Sequence, residues 1–162
     1  MEETFGHNVR AARGGEPRSD DAIVASAQAW SLVDRTFGRE DITLARHGVS
    51  ECLVRIGLAG ERLQSYVLAI NEVITNVVLH GGGFGRLVLR LDGTSVWCEV
   101  TDSGRGIPAE FLSDRRQPGA FQVGGRGLWL AHRLCDEVTV ATGPIGTSIG
   151  LRMSLPHTGP PG

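Results

Sequence analysis

The sequence predicts an α+β two-layer sandwich, a mixed, mostly antiparallel sheet with helices packed on one face. Three observations carry this. Two helical stretches precede two strands. Asp92-Gly93 between those strands is a strong hairpin signal. A third helix is followed by two more strands joined through Gly143-Pro144. Elements clustered in this way, with hairpin-like links, segregate helices to one side of a sheet.

Residues 1–25 are charged and glycine-containing without a period, and read as a flexible arm. At its end Asp20 and Asp21 are candidate caps for a short helix over residues 22–29. Residues 30–37 read as a first strand, although their alternation is poor. Residues 42–56 look helical, with Gly57 or Gly60 as the stop. The strongest helix covers residues 61–80. Val67, Ile70, Ile74, Val77 and Val78 form one apolar stripe there, and Gly81-Gly82-Gly83 ends it. Strands follow over 86–91 and 95–101. The polar, Gly/Pro-rich stretch 102–125 is long for a loop in a compact domain and suggests a functional lid. A second amphipathic helix over 127–135 leads to strands over 137–141 and 148–155. Residues 157–162 read as a disordered tail, so the domain itself spans 26–156. No internal repeat is present.

At 162 residues the chain is long enough to bury its own core. Its 41% apolar and 21% charged residues are those of a soluble globular protein, and a net charge of −2 gives no general attraction for nucleic acid or membrane. No apolar run approaches the length of a membrane span, and the N-terminus lacks the basic and apolar regions of a signal peptide. Cys52, Cys98 and Cys135 lie in apolar-periodic stretches, which suits buried reduced thiols in the cytoplasm. All sixteen basic residues are arginine. A P-loop and a eukaryotic-type protein kinase both need a lysine, so both are excluded.

Four features are candidates for chemistry. Glu72 and Asn76 are four apart, so they share one helical face, which His80 extends. Asp102-Ser103-Gly104-Arg105-Gly106 directly follows a strand. Its carboxylate can accept from an exocyclic amine, and its glycines let backbone approach a flat ligand. Gly125, Arg126, Gly127 and Leu128 open a helix whose free N–H groups can hold phosphate. Gly146-Thr147 enters the last strand. Each has a plainer reading alone: a solvated helix face, an Asp-Ser-Gly turn, a flexible loop, a tight turn. Gly104 to Ala109 also fits a dinucleotide fingerprint, but the acidic residue required about twenty positions on is missing.

Taken together and in order, these motifs resemble the histidine-kinase-like ATPase superfamily over residues 30–155. Within it the chain looks most like the bacterial anti-sigma-factor serine/threonine kinases. The resemblance implies a Bergerat-type ATP-binding fold with ATP and Mg²⁺ as cofactors. It implies that Asn76 ligates the metal and Glu72 is the general base. Asp102 would recognise adenine, lined by Gly104 and Gly106 and supported by Thr147. Gly125, Arg126, Gly127 and Leu128 would hold the phosphates. With no lysine in the lid, a cation over the γ-phosphate must be Arg105, Arg115, Arg116 or Arg126. The implied partners are a STAS-type anti-anti-sigma protein, phosphorylated on serine, and a sequestered sigma factor, with the kinase a homodimer. The alternative is a non-catalytic nucleotide-binding module that controls a partner by binding alone. An ATPase module of a larger sensor is a third reading.

Overall fold

The computed structural model describes residues 31–108 and 126–157. The arm, the short helix expected at 22–29, most of the lid and all but the first residue of the tail lie outside these residues. The described chain forms β1 (Ser31–Phe37), a 3-10 turn (Arg39–Asp41), α1 (Ile42–Arg55) and α2 (Gly60–His80). It continues through β2 (Gly85–Asp92), β3 (Ser95–Asp102), α3 (Arg126–Leu134), β4 (Glu137–Gly143) and β5 (Gly146–Ser154). All the expected helices and strands within the described residues are present, with ends moved by a residue or two.

The five strands lie in the order β1-β2-β3-β5-β4, and every neighbouring pair is antiparallel. The expected mixed character is therefore absent from the described sheet. Connectivity explains this. The two helices between β1 and β2 return the chain antiparallel to β1, and β2–β3 and β4–β5 are tight hairpins. Gly93, at φ +56°, makes the β2–β3 turn. The β3–α3–β4 crossover leaves one position open, and β5 fills it. This places the end of β3 beside the start of β5.

The core lies between the sheet and the helices. Alternate residues Leu87 and Leu89, then Val96, Cys98 and Val100, then Ile149, Leu151 and Met153, are all buried. From α2 they meet Tyr66, Ala69, Ile70, Val73, Ile74, Val77 and Val78. The buried stripe is thus wider than expected, and Val67 is only partly buried. A helix wedged between a sheet and a neighbouring helix must bury more than one narrow face. α1 contributes Ala45, Val49 and Leu53 at i, i+4 and i+8.

The Tyr66 hydroxyl donates to the Leu151 carbonyl at 2.7 Å, with the Val96 carbonyl at 3.3 Å, so it ties α2 to two central strands. Tyr66→Phe should cost about 1 kcal/mol, read as a fall of a few degrees in Tm. The outer face of the sheet is polar. Cross-strand pairs Arg86–Asp34, Arg90–Glu99 and Arg152–Glu137 cover it, and each contributes little because it is solvated. The three cysteines are free, but only Cys98 is fully buried. Burial pushes the half-buried Cys135 thiol up to about 12, so it stays protonated and weakly nucleophilic at neutral pH.

Candidate functional site

Inward-facing alternation generates the site. On β3 the positions run Val96, Cys98, Val100 and then Asp102; on β4 they run Val138, Val140 and then Thr142; on β5 Thr147 precedes Ile149 and Leu151. Register pairs Asp102 with Thr147 and Thr147 with Thr142. Directly opposed residues share a face of the sheet. The last row of the helix-facing surface is therefore polar: Thr142, Thr147, Asp102. The two threonine hydroxyls are 2.8 Å apart, and Thr147 is buried.

A turn after β3 closes against this row. Gly104 N–H donates to Asp102 Oδ1 at 2.8 Å. The end of α2 passes directly over the turn. A Cβ on Gly81 would lie 2.6 Å from Asp102 Oδ2, and one on Gly104 would lie 2.8 Å from Gly81 Cα. Only two glycines permit this backbone-on-backbone crossing. Gly106, at φ +87°, continues the turn, and a Cβ there would meet the Gly143 carbonyl at 2.5 Å. The next residue, Ile107, donates its N–H to Thr142 Oγ1 at 2.8 Å.

Glu72 and Asn76 are half-buried one turn apart on α2, and α3 explains why. A Cβ on Gly127 would stand 2.5 Å from Asn76 Nδ2 and 3.4 Å from Glu72 Cβ. The first turn of α3 is thus packed on these two side chains, so they are not on a solvated face. Asn76 lies five residues before Gly81, roughly 7.5 Å along the helix axis from the Asp102 end. At the start of α3, Arg126 is exposed and Gly127 buried, while Leu128 sits in the hydrophobic core and anchors the helix. What Leu128 can offer a ligand is its backbone N–H in the first turn of the helix, not its side chain. Arg105 and His80 are exposed, whereas Gly125, Arg115 and Arg116 lie outside the described residues.

The structure therefore brings together Asp102, Gly104, Gly106 and Thr147 in one group, and Glu72, Asn76 and Gly127 in another, joined by the last turns of α2. The profile of the histidine kinase-like ATPase domain matches residues 38–153. The chain belongs to that family. No curated protein matches it. Among solved structures, the RsbU and RsbW domains of Rv1364c from Mycobacterium tuberculosis share 20% identity and a TM-score of 0.52. That match covers 76% of this chain and only 32% of the other, so this ATPase domain spans about a third of that protein's solved length. The histidine kinase domain of the E. coli osmosensor EnvZ aligns at 17% identity and a TM-score of 0.46, over 79% of this chain and 92% of that one. The likeness to the first of these concerns the fold.

Thr142 escaped the sequence reading, which ended β4 at Ala141. The signal was available: continuing the alternation Val138, Val140 by one more step places Thr142 on the inner face. The contact of Gly127 with Asn76 suggests a further test. Gly127→Ala should keep the fold, because the obstacle is the end of a side chain, but should displace the Asn76 amide. We expect it to weaken ATP binding at least several-fold in a calorimetric titration.

Proposed function

We propose that this histidine kinase-like ATPase domain binds Mg-ATP and is a protein-serine kinase. In this reading it phosphorylates a STAS-type anti-anti-sigma partner and sequesters a sigma factor, as a cytoplasmic homodimer. The observation that carries it is Glu72 and Asn76 half-buried beneath the start of α3, one short run of helix from the Asp102–Thr147 row.

The residues fit the ligand. Asp102 keeps a second carboxylate oxygen beyond the one that accepts from Gly104, and this acceptor suits the exocyclic amine of adenine. Thr147 stands beside it. The backbone donors at the start of α3, with Arg126, suit an anionic polyphosphate. The Asn76 amide oxygen is a hard donor of the type that Mg²⁺ prefers, and the Glu72 carboxylate is a group of the kind that can take the proton from an attacking serine hydroxyl. Bound Mg²⁺ would supply charge neutralisation across the phosphate oxygens. Phosphoryl transfer needs little beyond positioning and charge compensation, so a single base, a metal ligand and a donor-rich helix start suffice.

Incubation with ATP, Mg²⁺ and a STAS-type protein encoded by the same genome, followed by mass spectrometry, should yield phosphoserine on that partner. Nucleotide binding and partner binding with no phosphoserine on any such protein would replace the kinase with a non-catalytic regulatory module.

A further inference from the structure

We propose that Thr142, a β4 residue outside the recognised motifs, is a positioning residue that sets the direction of the Thr147 hydroxyl and thereby favours adenine over guanine. This rests on the nucleotide-binding reading above and deepens it.

Thr142 Oγ1 accepts the Ile107 N–H at 2.8 Å and lies 2.8 Å from Thr147 Oγ1. One hydroxyl proton lies between the two threonines. A hydroxyl carries one proton and two lone pairs. Once Thr142 has accepted from Ile107, donating its own proton to Thr147 uses its remaining capacity well. The Thr147 proton is then free to point toward the neighbouring Asp102 position or a ligand held there. In the opposite arrangement Thr142 accepts twice and its own proton needs another acceptor. The first arrangement presents a donor, Thr147, beside an acceptor, Asp102. Adenine offers the matching pair, a ring-nitrogen acceptor beside an amino donor. Guanine offers the reverse pair, a carbonyl acceptor beside a ring N–H. Thr142 also latches the turn after β3 to the β4–β5 hairpin, because Ile107 belongs to the first and Thr142 to the second.

The test compares wild type with Thr142→Ser, Thr142→Ala and Thr142→Val, measuring ATP affinity and the competition of GTP against a fluorescent ATP analogue. Val keeps the branched shape without the hydroxyl, and the Ser and Ala variants differ by the hydroxyl alone. We expect Ser to hold ATP near the wild-type affinity. Ala and Val should lose roughly five- to tenfold, the scale of one hydrogen bond, and the preference for ATP over GTP should narrow with them. Should Val not fold, the Ser and Ala pair carries the comparison. A packing role would make Val the best tolerated variant, and a loosened hairpin would weaken ATP and GTP equally. Either result, or equal ATP affinity in every variant, would overturn the proposal while leaving the nucleotide site standing. Wild-type protein that binds no ATP would instead overturn the nucleotide reading itself, and this proposal with it.

Discussion

Glu72→Gln will retain Mg-ATP and lower phosphotransfer by roughly 10²–10⁴-fold, the usual contribution of a general base. Glutamine is the informative replacement. Glu72 is half-buried, so truncation to Ala would remove the partly buried γ and δ atoms as well as the base. Glutamine keeps the volume and the half-buried position and removes only the ability to take up a proton. The expected signature is an unchanged nucleotide affinity with a slow single-turnover transfer to the partner serine. Transfer at the wild-type rate would remove Glu72 from the mechanism.

Gly104→Ala should be more damaging than its size suggests. The added Cβ would stand 2.8 Å from Gly81 C and Cα and 3.0 Å from its carbonyl oxygen. These are backbone atoms, so no side chain can swing away, and either the end of α2 or the turn after β3 must move. Overpacking of this kind costs about 1–3 kcal/mol. The displacement falls on the Asp102 turn itself, so nucleotide affinity should fall more than tenfold. Gly143→Ala is the control, because an added Cβ there meets nothing within 4 Å. It should bind nucleotide like wild type. Equal behaviour of the two variants in melting and titration would contradict the crossing as described.

The order of helices and strands was legible because each element has its own local signal. The stripe on α2, the Asp92-Gly93 hairpin and the glycine run after His80 depend on neighbours in sequence. The parts that were less legible depend on tertiary contacts. Nothing near Val67 says that Tyr66 will reach through the core to Leu151, so a stripe read from periodicity alone is too narrow. The burial of Glu72 and Asn76 comes from α3, more than forty residues away in sequence. The grouping of Asp102 with Thr147 follows from β5 occupying the position between β3 and β4, a topological fact that periodicity does not carry. Thr142 lay within reach of the alternation rule, yet its use becomes apparent only once Ile107 is seen to donate to it.

The proposed nucleotide pocket lies between α2, the turn after β3 and the start of α3, with Asn76 as the metal ligand. Calorimetric titration of ATP and ADP with and without Mg²⁺, on wild type and Asn76→Ala, tests it most directly. Wild type should bind with a magnesium dependence that the variant loses. Wild-type protein that binds neither nucleotide, or a variant that keeps the full magnesium effect, would contradict it.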